Sequence, residues 1–429
     1  MSTTTNTKPS IAIIGGGPAG LTIANLLHTS PLSPHLTFTV YESAPHPNAS
    51  NARPSQGGTL DLHTETGLAA LRKANLMTAF RKYARYDGDE MRIADKNNTV
   101  LVHKPASKPV ARDETTDAAD DRPEIDRGHL LKILREGLPE GVVKWNHRLL
   151  SCSQDGILQF SNPSSSSTDT PLESTTTTLG PFTLIIDASG AHSPVRRLLT
   201  DITPSYTGIT GYEFTLPSPA TRCPELHNMI GHGSYGTNSS GQLLNAQRVS
   251  SGDLKIRTWF RCAEHTAQTQ LKELGPEGVR DELLQKYKAW APEVLDFLRF
   301  ADVESVRVWP CYGLPVGFQW EHREGVTMVG DAASLSPPFS GEGVNKAMRD
   351  GLELVRNLEE ALLGGGSGDS VSSINGPEKK GIVSIDDAVL KYEEAMFPRA
   401  LRIQRSLCRR SRGRSCCGVR GSGWQGTGA

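Results

Sequence analysis

Short apolar runs alternate with amphipathic stretches along the first part of the chain. The apolar run at residues 11–14 leads into three glycines and the stretch LTIANLLH, which predicts a strand, a tight turn and a helix. The strand-like run TFTVY follows, and the run FTLII at residues 182–186, apolar except for Thr183, predicts a strand buried on both faces. Strands that alternate with helices in this way predict an α/β fold built on a parallel sheet.

The pattern changes in the middle of the chain. From about residue 205 to 310 it has short extended segments such as LKIRTWF, followed by the helix-like stretch LLQKYKAWAPEVLDFLRF. We interpret this region as an inserted β-sheet with a covering helix. Two later stretches, GVNKAMRDGLELVRNLEEALL and SIDDAVLKYEEAMFPRAL, predict C-terminal helices.

Three segments do not fit these elements. Residues 161–180 are polar and of low complexity and predict a loose hairpin connection, and residues 364–381 separate the two C-terminal helices. Residues 408–429 are rich in Arg, Gly and Cys and lack helical periodicity, which predicts a disordered tail.

Composition narrows the class of protein. A chain of 429 residues exceeds what one hydrophobic core usually supports, so we expect two intertwined domains. The formal net charge of −1 gives no reason to expect nucleic acid as a partner. No apolar run approaches the roughly twenty residues that span a bilayer, and the polar N-terminus lacks the core of a signal peptide. We therefore expect a cytoplasmic protein with no membrane span, and a monomer.

The cysteines predict no metal site. Their number, seven, is odd, and four of them are scattered without CxxC or CxxxH spacing. These four are Cys152, Cys223, Cys262 and Cys311. We expect buried or inert thiols and neither a metal site nor a disulfide framework.

The first glycine motif predicts a phosphate site. Gly15 permits the turn, Gly17 lets a pyrophosphate approach the backbone, and Gly20 lets the helix pack against the strand. Pro18 and Ala19 fall in the first helical turn, whose free amides and positive dipole end favour phosphate. An ordinary strand-to-helix turn without a nucleotide is the alternative.

An acidic residue supports the nucleotide interpretation. The TFTVY strand ends at Glu42, about twenty residues beyond the last glycine, where a carboxylate would accept hydrogen bonds from ribose hydroxyls.

Four further sequence motifs complete the pattern. They are GGTLDLH at 57–63, RPEIDRGHLLKIL at 122–134, FTLIIDASGAHSPVRRLL at 182–199 and GDAASLSPPFSGEGVN at 330–345. With the glycine motif, they resemble the single-component (class A) FAD-dependent aromatic hydroxylases, the group that includes para-hydroxybenzoate hydroxylase. Within that group the words match best those of the tetracycline-inactivating flavin monooxygenases. The resemblance runs from about residue 10 to about residue 400.

The resemblance implies a Rossmann-like FAD-binding domain of the para-hydroxybenzoate hydroxylase type. A substrate domain built on a β-sheet is inserted into it, and C-terminal helices follow. The implied boundaries are 8–200 and 311–407 for the two parts of the FAD-binding domain and 201–310 for the substrate domain.

The resemblance also implies FAD contacts in both halves of the chain. Asp331 would hydrogen-bond the ribityl or pyrophosphate side, although a simple N-cap is its alternative role. Backbone at Gly341, Gly343, Val344 and Asn345 would close on the ring. Amides at this helix start would stabilise negative charge on the reduced flavin.

Three more residues belong to this implied set. Asp61 and Arg127 would contact the flavin, and their alternatives are a strand-end turn residue and a surface ion pair. The family has an arginine in this region that is linked to nicotinamide use. Arg53 is a candidate for that role, but the position equivalent to the family's arginine is occupied by Pro54.

The activity implied is a monooxygenation. NAD(P)H would reduce FAD, dioxygen would add to the reduced ring, and a flavin hydroperoxide would hydroxylate an electron-rich carbon of a phenol or enol. No side-chain nucleophile is required. The sequence does not choose a proton-handling residue among Tyr212, His227 and His232.

The substrate is less defined. Glu213, Ser234 and Lys255 pair with polar substrate contacts of the tetracycline-acting relatives, and none keeps the expected side chain. This argues against tetracycline and favours a tailoring enzyme of secondary metabolism or antibiotic modification. Two alternatives stay open: a flavin-dependent halogenase or reductase on the same scaffold, and a non-catalytic flavoprotein with an aberrant C-terminus.

Overall fold

A computed structural model describes residues 8–51, 57–107, 122–162, 175–363 and 384–410. The strands in chain order are β1 Ser10–Ile14, β2 Thr37–Tyr41, β3 Thr59–Asp61, β4 Met91–Ala94, β5 Val100–Lys104, β6 Glu124–Asp126, β7 Val143–Lys144, β8 Arg148–Cys152, β9 Leu158–Asn162, β10 Thr175–Leu179, β11 Leu184–Asp187, β12 Ser205–Leu216, β13 Ser234–Ser239, β14 Gln242–Arg248, β15 Leu254–Arg261, β16 Asp302–Gly313 and β17 Val326–Met328.

The helices in chain order are α1 Pro18–Thr29, α2 Gly67–Lys73, α3 Met77–Arg81, α4 Arg127–Glu136, α5 Arg196–Leu199, α6 Pro219–Arg222, α7 Pro224–Ile230, α8 Thr266–Lys286, α9 Pro292–Arg299, α10 Gly343–Leu363 and α11 Ile385–Arg410. Two short 3-10 helices span Asp87–Asp89 and Pro338–Ser340. No described helix is long and apolar enough to cross a membrane.

A five-stranded parallel sheet forms the centre of the nucleotide-binding half. Its strand order is β17-β11-β1-β2-β7, so β17, from late in the chain, pairs beside the early strands. All four residues of β11 are buried, as the apolar run predicted. Because parallel strands all end at one edge, this sheet brings the turns after β1, β2, β11 and β17 together.

The low-complexity segment begins and ends in a hairpin. β9 and β10 pair antiparallel, and β8 completes a three-stranded sheet. Residues 163–174 between them, and residues 364–383, lie outside the described residues. The hairpin expected for 161–180 is therefore present at its two ends.

A seven-stranded sheet forms the other half, in the order β16-β12-β15-β14-β13-β4-β5. One of its faces packs on α8 and α9 in a core that includes Tyr212, Phe214 and Phe260. Two of its strands, β4 and β5, come from before residue 105, so the sheet draws on chain outside 201–310. The two halves are interleaved in sequence.

The covering helix was predicted as one element, and this was wrong. α8 ends at Lys286 and α9 begins at Pro292, whose ring suits the first position of a new helix. α8 is itself kinked at Gly275, where φ is +70°.

The C-terminal helix α10 packs on the first helix, and α11 packs on α10. α10 lies against α1, and side chains of α11 such as Val389 and Tyr392 join the same core. α11 extends to Arg410, three residues into the segment predicted as a disordered tail from residue 408, so that start was placed too early. Residues 411–429 lie outside the described residues.

Candidate active site

The first glycine turn is built so that side chains are excluded. Gly15 has φ +105°, and a Cβ on Gly20 would lie 2.0 Å from the Gly15 carbonyl oxygen. The first helical hydrogen bond of α1 runs from Leu21 to Gly17. The amides of Ala19 and Gly20 precede it and so have no acceptor within the helix, and Pro18 has no amide. The turn therefore presents amides and a helix dipole to an anion.

Gly17 differs from its two neighbours in the motif. A Cβ added to it would meet no atom within 4 Å. The fold itself therefore does not require glycine there, whereas a ligand that approaches the backbone closely would.

Glu42 stands directly beside this turn, at the end of β2. Its Oε2 accepts a hydrogen bond from the Gly16 amide at 2.5 Å, and its Oε1 accepts one from the Ala44 amide at 2.7 Å. The carboxylate is thus fixed at the edge of the sheet, at the place predicted for ribose recognition.

The second glycine segment reaches the same edge through β17. Gly330 and Asp331 follow this strand, and the Asp331 side chain is 50% exposed with Lys346 Nζ at 3.3 Å from its Oδ1. Arg196, from the predicted word at 182–199, donates from Nη2 to the Ala332 carbonyl at 3.0 Å. That arginine therefore fixes the turn that carries Asp331.

Arg127 begins α4 and lies close to both segments. Its amide donates to the Gly58 carbonyl at 3.2 Å, and a Cβ on Gly57 would lie 3.3 Å from its Cδ. Burial lowers the pKa of the Arg127 guanidinium, and the nearby Asp331 carboxylate offsets part of that effect. The alternative role of Arg127, a surface ion pair with Asp126 or Glu124, is not among the ion pairs of the described residues.

Asp61 ends β3, which pairs antiparallel with β6, the strand before Arg127. His63 Nε2 lies 3.0 Å from Asp61 Oδ2, and His63 Nδ1 lies 3.8 Å from a carboxylate oxygen of Glu342. Burial raises the pKa of the Asp61 carboxyl, but the hydrogen bond and charge of His63 outweigh it and lower that pKa. His63 is part of the motif GGTLDLH, but the sequence analysis did not assign it a role.

Asn345 links the two segments. Its Oδ1 accepts hydrogen bonds from the His63 amide and the Thr66 hydroxyl, both at 2.9 Å, and its Nδ2 donates to the Asp61 carbonyl at 2.8 Å. The residue is 0% exposed. Its side chain thus joins the start of α10 to the end of β3, which leaves only its backbone amide for a ligand.

The start of α10 offers a second set of amides. Gly341 has φ +72°, and the first hydrogen bond at the helix start runs from Lys346 to Glu342. The amides of Gly343, Val344 and Asn345 precede that bond and have no acceptor within the helix. The starts of α1 and α10, from opposite ends of the sequence, thus both carry free amides and the positive end of a helix dipole.

A buried carboxyl group lies behind β3. Glu124 Oε2 accepts hydrogen bonds from the Thr59 hydroxyl at 2.7 Å and from Arg85 Nη2 at 2.8 Å. Burial raises the pKa of Glu124 to about 7, and the hydrogen bond from Thr59 and the charge of Arg85 only partly offset this. The motif RPEIDRGHLLKIL contains Glu124, and the sequence analysis gave this residue no role of its own.

The open face of the seven-stranded sheet lies against these elements. Gln247 Oε1 accepts from the Thr59 amide at 3.2 Å, and the rings of Trp259 and Phe339 are 5.3 Å apart, edge to face. Since Thr59 belongs to β3 and Phe339 to the second glycine segment, the sheet closes the site from the other side. Neither aromatic residue was predicted.

The three candidates among which the sequence could not choose a proton handler lie elsewhere. Tyr212 is buried on the opposite face of the sheet and donates to the Ala267 carbonyl at 2.9 Å, and burial raises its pKa to about 12. His227 Nδ1 lies 3.2 Å from Arg248 Nη2, and His232 Nδ1 lies 3.0 Å from Asp87 Oδ2. Each therefore has a structural partner.

The remaining predicted positions are also placed. Glu213 pairs with Arg257, Lys255 donates to the Thr215 hydroxyl at 2.9 Å, and Ser234 begins β13. Arg53 and Pro54 lie outside the described residues.

Known proteins are similar to this chain in sequence and in fold. Two family models match: an NAD(P)-binding Rossmann-like domain at residues 13–84 and an FAD binding domain at residues 302–374. Monooxygenase asqM of Emericella nidulans is 30% identical over 433 residues, which cover 91% of this chain and 92% of that protein. The chain belongs to the FAD-dependent monooxygenases. The predictions of FAD and NAD(P)H as its cofactors are confirmed.

Other relatives of this monooxygenase span nearly the whole chain. Monooxygenase penA of Penicillium thymicola is 31% identical and covers 91% of each chain. The 3-amino-4-hydroxybenzoate 2-monooxygenase PtmB3 of Streptomyces platensis is 25% identical over 96% of this chain and 89% of that protein. The solved structure of tetracycline destructase Tet(51) shares the fold, with a TM-score of 0.59 and 17% identity over 93% of this chain and 89% of that one.

Proposed function

We propose that this monooxygenase uses FAD, NAD(P)H and dioxygen to hydroxylate an electron-rich small molecule, a phenol or an enol. The reaction would serve secondary metabolism or antibiotic modification. The observation that carries the proposal is that the starts of α1 and α10 meet at Gly330, where an added Cβ would lie 3.5 Å from Ala19 and 3.3 Å from Ala347. The fold supports both halves of such a site, and the relatives' names support the reaction class.

The residues at this edge fit an extended dinucleotide. A Cβ added to Gly17 would meet no atom within 4 Å, so there is free space beside its backbone. Close approach of a pyrophosphate requires such space. The free amides of Ala19 and Gly20 suit phosphate, and those of Gly343 and Val344 suit an electron-rich ring edge.

We assign each predicted residue a part in holding FAD. Gly15, Gly17, Pro18, Ala19 and Gly20 form the phosphate turn, Glu42 faces the adenosine ribose, and Asp331 faces the middle of the cofactor. Asp61, Arg127 and the backbone of Gly341, Gly343, Val344 and Asn345 surround the ring. Arg53 is not included because its position is not described.

FAD, when bound, supplies the redox chemistry that links NAD(P)H to dioxygen. The chain's own part is electrostatic. The guanidinium of Arg127 and the positive end of α10 would stabilise negative charge as it develops on the ring. The hydroperoxide route implied by the resemblance stays a prediction, as do the monomeric state and the cytoplasmic location.

The substrate class rests on two supports. A relative that covers most of the chain, PtmB3, is named for a hydroxybenzoate, which is a phenol. The substrate-side face of the sheet carries Trp259 against Phe339, an aromatic surface on which a flat ring can pack.

Substrate-stimulated oxidation of NAD(P)H tests the proposal. Purified protein loaded with FAD is mixed with NADPH or NADH and a panel of phenols and cyclic enols, while NAD(P)H loss, oxygen uptake and hydroxylated product are followed. At least one compound should stimulate oxidation and yield a product that contains one more oxygen atom. Stimulation by none would overturn the proposed substrate class.

A matched pair of variants links that activity to the site. Arg127→Met should lose stimulated oxidation, because it removes the fork of donors beside Gly57 and Asp331. Lys132→Met removes an exposed cation from the same helix and should retain it. Equal behaviour of the two variants would contradict the role given to Arg127.

A further inference from the structure

The substrate-side face of the seven-stranded sheet is arranged in rows that cross the strands. One row places Leu243, Trp259, Gly211 and Trp309 side by side on β14, β15, β12 and β16. The next row, two residues along each strand, consists of Asn245, Arg257, Glu213 and Arg307. An aromatic row therefore adjoins a polar row, on the face that lies against β3 and the second glycine segment.

Trp259 is held in one orientation. A Cβ on Gly211 would lie 2.6 Å from Trp259 Cε3, so glycine is what lets the indole lie across the neighbouring strand. The indole Nε1 donates to Asn245 Oδ1 at 3.1 Å, and Phe339 meets its ring at 5.3 Å. The result is a fixed aromatic wall.

The same contact orients Asn245. Because its Oδ1 accepts from Trp259, the Nδ2 group is left to point away from the indole, and in the described chain it donates to no acceptor. Asn245 therefore offers two N–H donors next to the aromatic wall.

Arg257 presents a second set of donors from the same row. Its Nε donates to Glu213 Oε2 at 2.6 Å, while within the described chain neither of its Nη groups makes a hydrogen bond. The arginine side chain is 17% exposed, and its Nη2 would lie 3.0 Å from a Cβ on Gly58. The open end of the guanidinium thus faces β3, where the flavin is proposed to bind.

Glu213 compensates the charge of that guanidinium. The glutamate is 3% exposed, and its contact with Nε is the length of a strong charge-assisted hydrogen bond. Arg307 stands opposite Glu213 on the neighbouring strand β16, but among the described ion pairs Glu213 has Arg257 as its partner. Of the two arginines in this row, Arg257 is the one whose charge Glu213 pairs.

We propose that Arg257, neutralised by Glu213, and Asn245 determine substrate specificity. They select a planar aromatic molecule through a neutral oxygen acceptor, a carbonyl or an undissociated hydroxyl, in preference to a carboxylate. Trp259 and Phe339 form the wall on which the aromatic ring packs. This inference rests on the proposed hydroxylation of phenols or enols and names the charge state that the site accepts.

Two probes that share a naphthol ring and differ by one carboxylate group test this inference. At neutral pH, 2-naphthol is uncharged and 6-hydroxy-2-naphthoate carries a carboxylate. Titration calorimetry on the purified full-length protein, with added FAD, gives the dissociation constant of each. The wild-type protein should bind 2-naphthol more tightly. Tighter binding of the carboxylate, or binding of neither probe, would overturn the inference.

Glu213→Gln should change that preference. The substitution keeps an oxygen for Arg257 Nε but removes the negative charge, so the ratio of the two dissociation constants should move toward the carboxylate by about tenfold. Glu282→Gln makes the same chemical change at an exposed residue of α8, behind the opposite face, and should leave the ratio unchanged. An unchanged ratio in Glu213→Gln would refute the role of the pair.

A double variant covers the case in which Glu213→Gln does not fold. Arg257→Gln with Glu213→Gln replaces a buried ion pair by a neutral pair, which proteins often tolerate. It should weaken binding of 2-naphthol by about tenfold without a shift toward the carboxylate. Unweakened binding would contradict the inference.

The test separates this inference from the proposed function. Calorimetry detects the probes whether or not the protein hydroxylates them, and FAD content and NADPH-driven reduction are measured on the same samples. Absence of FAD or of its reduction would overturn the proposed function. A flavin-loaded, NADPH-reducible protein with the wrong probe preference would overturn only the specificity inference.

Discussion

Arg399 Nη2 donates to Asp350 Oδ1 at 2.8 Å, in a contact that joins the C-terminal helix α11 to α10. Asp350 is 0% exposed, and its other oxygen accepts a hydrogen bond from the Gly330 amide at 2.9 Å. Gly330 immediately precedes Asp331. A residue near the end of the chain therefore helps fix the turn assigned to the middle of FAD.

Removal of Arg399 should weaken both the fold and the flavin site. Arg399→Met would leave the Asp350 carboxylate buried without its cation, which typically costs about 3–5 kcal/mol in the free energy of unfolding. Urea denaturation and the fraction of bound FAD measure the two effects. Arg402→Met, at an exposed residue of the same helix, should change neither. If Arg399→Met retained FAD and stability, the contact from α11 to Gly330 would contribute neither to the free energy of unfolding nor to FAD binding.

Two glycines of the first motif should separate folding from cofactor binding. Gly20→Ala would place a methyl group 2.0 Å from a backbone oxygen, so we expect loss of folded protein. Gly17→Ala meets no atom within 4 Å and should leave the thermal midpoint of the flavin-free protein unchanged while it weakens FAD binding.

Flavin fluorescence titration measures FAD binding by these two variants, and thermal unfolding measures their stability. Gly236→Ala, also at a glycine with open space around it but in β13, is the control and should bind FAD normally. Normal FAD binding by Gly17→Ala would mean that no pyrophosphate lies against this turn.

Stability should depend on pH through His322. Its Nδ1 lies 2.8 Å from Glu393 and its Nε2 lies 3.0 Å from Asp386, both on α11. Burial opposes protonation, but the hydrogen bonds and charges of the two carboxylates raise the pKa of His322 above its ordinary value. The contribution of His322 to the free energy of unfolding is therefore complete below the ordinary histidine pKa. It is lost as pH rises through the raised pKa of the folded state.

Thermal unfolding at a series of pH values checks this sign. Wild type should be more stable than His322→Gln at pH values below the ordinary histidine pKa, and the difference should shrink as pH rises. His265→Gln removes a histidine whose side chain is 72% exposed and should show no such trend. A difference that grows with pH would contradict the assignment.

The parts of the fold that are local in sequence could be predicted. The turn from Gly15 to Gly20, the buried strand before Asp187 and the helix that begins at Gly343 follow from glycine spacing and apolar runs. The parallel sheet then brings the strand ends to one edge, which is why a candidate site could be assembled from separate words.

Contacts set by tertiary register could not be predicted. Arg257 meets Glu213 because β15 and β12 pair in one particular register, and Trp259 lies flat only because Gly211 stands opposite it. The helical pattern at 283–300 hid a break, since the intervening residues include Tyr287 and Trp290, which are buried and continue the apolar spacing of a helix. Asn345 lies at the predicted start of α10, but its side chain makes hydrogen bonds within the fold.

The absorption spectrum of the purified protein tests the central claim most directly. If the two helix N-termini hold FAD, the protein should show the bands of oxidised flavin, either as purified or after FAD is added and excess is removed. Addition of NADPH without oxygen, with or without a phenolic substrate, should bleach those bands. A folded protein that stays colourless and retains no added FAD would contradict the account.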